Sequence, residues 1–77
     1  MMTMKEIEEF YRIKEERLAK AKADAEPLRI EAERLQHIYE DVDGDDYKTF
    51  AWALWQMKVE EYNDAMRLYY DIMAEVA

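Results

Sequence analysis

The sequence predicts an all-α protein, an antiparallel helical hairpin, and three observations carry that expectation. Apolar residues recur at helical spacing along nearly the whole chain, good helix formers dominate, and "EDVDGDD" is the one convincing loop. One Gly and one Pro in 77 residues leave too few turn signals for an all-β fold. At this length the chain is a single helical domain, 1–77, near the size where one core barely suffices. It has no cysteine, so neither disulfides nor thiolate metal sites can supplement the core. Small chains of this kind rely on idealised helix packing or on oligomerisation.

Helix 1 is expected over about 3–42. "TMKE" places Thr3 at the N-cap and Glu6 at N3, a capping box, with Met2 and Ile7 at the positions of a hydrophobic staple. From there a coiled-coil seam runs without a slip through Ile7, Tyr11, Lys14, Leu18, Ala21, Ala25, Leu28, Ala32, Leu35, Tyr39 and Val42. Its small middle residues let a partner helix approach closely. Pro27 interrupts the pattern, since a proline inside a helix removes a hydrogen bond and clashes with the preceding turn, at about 3 kcal/mol. Two arrangements accommodate it. One is a long helix kinked at Pro27, favoured because the heptad phase continues and no Gly marks a stop. The other is a break there, with Asp24 capping a new helix, which would give a three-helix bundle.

The loop is expected at 43–45. Gly44 suits the left-handed position that ends helix 1, and Asp45 or Asp46 suits the cap of helix 2. Helix 2 then spans about 46–76 and carries two seams. The first is Trp52, Trp55, Val59, Tyr62, Met66, Tyr69, Met73 and Val76; the second is Phe50, Leu54, Met57, Glu61, Ala65, Leu68 and Ile72. On a helical wheel they merge into an apolar arc of about 200°, whereas one neighbouring helix covers about 100°. Helix 2 therefore asks for a second neighbour. A folded-back N-terminal segment, a second copy or a different protein could each supply it. A second copy is the simplest, giving a four-helix-bundle homodimer with Trp52, Trp55, Tyr62, Met66, Tyr69 and Met73 at the contact.

Charge narrows the function classes. The net charge of −8 is concentrated after residue 40, and no basic stripe exists to neutralise phosphates. Direct binding of nucleic acid is not expected, and no apolar run is long enough for a membrane span. The start "MMTMKEIEEF" lacks the apolar region of a secretory signal, so a cytoplasmic location is expected. Asp41, Asp43, Asp45, Asp46, Glu60 and Asp64 form a candidate acidic face for a basic protein partner.

Tests for chemistry are negative. "DVDGDDYKTFAW" places Asp46 and Trp52 where a calcium loop requires Gly and Glu, so no metal is expected. His37, the one histidine, is expected to be solvent-facing or paired with Glu33 or Glu40. The usual Ser and Cys nucleophiles are absent, and one Gly cannot build a phosphate loop. Lys14, Lys58 and Glu61 interrupt the seams and can fix register or partner choice. The expectation is a non-enzymatic protein without cofactor that acts by protein–protein binding. In size and acidity alone it is similar to phage-encoded inhibitors of host defence or nucleic-acid-processing complexes. The alternative is a structural, self-assembling helical module, such as an assembly or scaffolding subunit. A designed bundle fits less well with the irregular "MMTM" start, the interior Pro and the scattered Tyr.

Overall fold

The computed structural model describes residues 1–77 and contains two helices, α1 (Met4–Asp41) and α2 (Asp45–Ala74), packed against each other as a hairpin. The result is a rod of 63 × 15 × 11 Å. At its start the Glu6 amide donates to Thr3 Oγ1 at 3.2 Å, as a capping box requires. The reciprocal arm differs, because the Glu6 carboxylate takes its hydrogen bond from the Thr3 hydroxyl.

α1 runs unbroken through Pro27, so the three-helix arrangement does not form. The reason lies on either side of the proline. Ala25 is 1% exposed, Leu28 is half-buried and Ala32 is buried, so both flanks are held against α2. Pro27 itself faces solvent, as does Ala23, whose carbonyl loses its helical donor and can take water instead. Tertiary packing thus outweighs a local cost of about 3 kcal/mol.

The predicted seam of α1 is the packed face. Of its residues only Tyr11 is exposed, and Ala21, Ala25 and Ala32 are fully buried. On α2 the packed face is rotated from either predicted seam. It runs Lys48, Ala51, Trp55, Lys58, Tyr62, Ala65, Tyr69 and Ile72, all buried or half-buried, with Val59 and Met66 half-buried beside it. Ala51 takes the place expected for Trp52, and Ile72 the place expected for Met73. The small residues of α1 explain the choice. Ala21 and Ile72 line the same groove, so a branched side chain sits over a methyl group where the helices approach closely.

The connection also differs from its expectation. Gly44 has φ 98°, a conformation that disfavours any residue with a Cβ, but it is the N-cap of α2 rather than the terminator of α1. Val42 ends α1, its amide donating to the Ile38 carbonyl at 3.0 Å. Asp45 and Asp46 lie in the first turn of α2, where their charge meets the positive end of the helix dipole.

Neither helix has a basic residue in its own last turn, and each borrows one from the other. Lys14 of α1 donates to the Met73 and Glu75 carbonyls at 2.9 and 2.6 Å, at the C-terminus of α2. Beside it Arg17 grips the Glu75 carboxylate with both terminal nitrogens, at 2.5 and 3.1 Å. At the other end Lys48 of α2 donates to the Tyr39 carbonyl at 3.0 Å, near the C-terminus of α1, and lies 4.7 Å from the centre of the Tyr39 ring. A cation at a helix C-terminus satisfies orphaned carbonyls and opposes the dipole. Lys14→Met keeps the length and apolar stem but removes these bonds. It is expected to lower stability by about 1 kcal/mol, seen as a shift in the urea midpoint without a change in slope.

Candidate interaction surface

Helix geometry sorts the apolar side chains of α2 into an inner face and two outer edges. Trp55 belongs to the inner face and packs its ring 5.6 Å from that of Tyr39. Tyr62, Met66 and Tyr69 are half-buried on the same side. Four of the six residues expected at a dimer contact therefore lie on the side that the hairpin itself uses. Trp52 and Met73 are about half exposed, and with Tyr70 they form one outer edge.

The other outer edge is more open, and Glu61 and Asp64 share it. Phe50 is 66% exposed, Met57 59% and Leu68 55%, with Leu54 alongside them. These are residues of the second predicted seam, from which the hairpin takes only Ala65 and Ile72. The register set by Arg17 and Glu75 extends this strip onto α1. Three heptads along each helix from that pair, Ile38, also exposed, comes beside Leu54. Two heptads along, Glu31 comes beside Glu61. Each of these acids has its own cation, Arg34 for Glu31 and Lys58 for Glu61, the latter at 2.7 Å. The Arg34 hydrogen bond, with Lys58 adding its field across the interface, holds the Glu31 carboxyl below its usual range. Sequence reasoning missed Ile38 because it lies outside the α1 seam; its position one residue before the seam residue Tyr39 was the available signal.

The acidic residues do not form one face. Asp41, Asp43, Asp45 and Asp46 cluster, all exposed, at the hairpin turn. Glu60 and Asp64 lie on α2 well away from it, Glu60 being about 22 Å along the helix from Asp45. Asp64 also has Arg67 at 3.4 Å. No three acidic or histidine side chains converge in a way that could hold a metal ion. His37 is exposed, 3.5 Å from Glu40.

No family model, no curated protein and no solved structure matches this chain. The geometry alone therefore bears on function. It offers an acidic turn, an open strip along α2 rich in large apolar residues, and, on the Trp52 edge, a cleft lined by Tyr39, Asp45, Lys48, Thr49 and Trp52. Every buried polar side-chain atom has a partner. No helix is long and apolar enough to cross a membrane.

Proposed function

We propose that this protein acts without catalysis, in the cytoplasm, by binding a basic protein surface through the acidic turn. The observation that carries this reading is the clustering of Asp41, Asp43, Asp45 and Asp46 at one tip of an elongated rod, all exposed and none in an ion pair. A concentrated charge of one sign steers a partner of the opposite sign and speeds encounter. Such an interaction suits a protein that occupies a nucleic-acid-processing complex and inhibits it. The test is affinity capture from the source-cell lysate at low salt, with the wild-type chain and a variant carrying Asn at all four positions. The variant is expected to lose the captured partner, and association of the purified pair is expected to slow as salt rises. Equal capture by both chains would move the contact off the turn.

A second reading is structural: a helical module whose surfaces serve its own assembly. It is supported by sixteen exposed large apolar residues against five buried residues, four of which are alanines. The core of one chain is small for the apolar surface it carries.

A further inference from the structure

We propose that two copies of this chain join end to end, the first turns of α1 in each packing on those of the other, antiparallel about a two-fold axis. This rests on the structural reading and needs no partner of the acidic turn.

The seam of α1 outruns its cover. Arg17 holds Glu75, and Lys14 reaches the Met73 and Glu75 carbonyls, so α2 ends level with these two cations. Residues 4–13 continue as helix for about 15 Å beyond that point. Their side-chain hydrogen bonds and ion pairs, those of Glu6, Glu9 and Arg12, stay within α1 or its cap. Val76, the first apolar residue after α2, is 80% exposed and gives no cover. The seam nevertheless keeps its 4,3 spacing here, through Met4, Ile7, Tyr11 and Lys14. Met4 and Tyr11 are exposed, and the Phe10 ring stands edge-on against Tyr11. A stripe that is the packed face over the rest of α1 thus runs on without a partner.

A second copy fits that stripe. An interface between identical copies requires that residue i meet j while j meets i. In an antiparallel pair centred between Ile7 and Tyr11, each of these residues meets the other on the partner. Met4 lies along the stem of the partner's Lys14, whose ammonium stays on the carbonyls of its own α2. Phe10 meets the partner's Phe10 on one flank. On the other flank Glu8 approaches the partner's Glu8, an exposed pair with Lys5 three residues away on each helix, and this repulsion is small beside the apolar contacts. The second α1 takes up the line that α2 leaves and runs the same way, so the two dipoles follow head to tail.

Charge selects this end of the rod. The chain carries −8, yet residues 4–14 hold three basic and three acidic side chains. Pairing there puts Asp41 of each copy about 48 Å from the axis, on opposite sides. The acidic turns are then many screening lengths apart, and salt has little to act on. The contact spans about three turns of each copy, less than a standard interface, so the dimer is a weak one.

Sedimentation equilibrium of the full chain, over a hundredfold concentration range reaching about 1 mM and in low and high salt, tests the proposal. A concentration-dependent dimer that salt does not dissociate is expected. Ile7→Gln is expected to weaken it by about tenfold or more, because the loss counts once in each copy. The same variant is expected to leave the thermal melt of the dilute hairpin unchanged, since the helix around Ile7 lies beyond the end of α2. Met57→Glu, on the open edge of α2, is expected to leave the dimer as it is. Small-angle X-ray scattering supplies a measurement independent of any substitution. Two rods of 63 Å that overlap by about 15 Å have a longest dimension of about 110 Å, whereas a side-by-side pair stays near the length of one. A short dimer that Met57→Glu breaks and Ile7→Gln spares would overturn this contact and leave the structural reading intact. A strict monomer throughout the range would overturn both.

Discussion

Ile72→Ala is expected to lower the stability of the hairpin by about 2–4 kcal/mol. Ile72 is 3% exposed and is the one large side chain in the core; the other fully buried residues are Ala21, Ala25, Ala32 and Ala51. Truncation removes transfer free energy and leaves a gap over Ala21 that alanine side chains cannot fill. A domain of this length is stable by about 4–10 kcal/mol, so the loss is a large share of the whole. Urea unfolding followed by circular dichroism measures it. A change below about 1 kcal/mol would show that the half-buried aromatics, not this contact, hold the helices together.

Pro27→Ala is expected to act in the opposite direction, raising stability by about 2 kcal/mol. Relative to alanine, an interior proline costs a helix about 3 kcal/mol, and roughly 1 kcal/mol returns because proline also restricts the unfolded chain. Nothing packed is lost, since Pro27 is exposed. The new amide lies within reach of the Ala23 carbonyl, completing the helical ladder. A rise in the urea midpoint at unchanged slope checks the gain. No gain, or a loss, would mean that the proline sets a bend on which the packing of Ala25 and Leu28 depends.

How much of this was legible in the sequence differs between the helices, for a physical reason. The seam of α1 could be read directly because its 4,3 spacing runs without a slip from Ile7 to Val42, whereas Ile13, Ile30 and Ile38 lie off it singly and form no second stripe. The arc of α2 is wide enough that its own pattern does not say which part turns inward. Ala51 and Ile72 face α1 because of what they meet there, and that depends on the other helix. Gly44 was recognisable as a glycine needed for its backbone, but a short turn offers it two helices to serve, and the sequence does not distinguish them. The role of Lys14 was hidden because its acceptors are main-chain carbonyls, which no side-chain pattern records. The missing basic residue in the last turn of each helix was the only trace. Asp41, Asp43, Asp45 and Asp46 are near neighbours in sequence and lie together at the turn for that reason, whereas Glu60 and Asp64 share their charge but are separated from them by the length of the helix.

The exchange of lysines between the two helices has a directional consequence. Side-chain packing between helices is nearly indifferent to which way each runs, but a helix end is not. Were α1 and α2 to lie parallel, Lys14 would reach the opening turn of α2. It would find amides there, which cannot accept its protons, and a dipole end of its own sign. Lys48 would lose the Tyr39 carbonyl as well. The two cations thus encode heading as well as holding the ends, and they do so independently of the covalent turn. Two peptides made by cutting the chain at Gly44 would therefore meet head to tail without being told to, the turn serving as a tether that raises their local concentration.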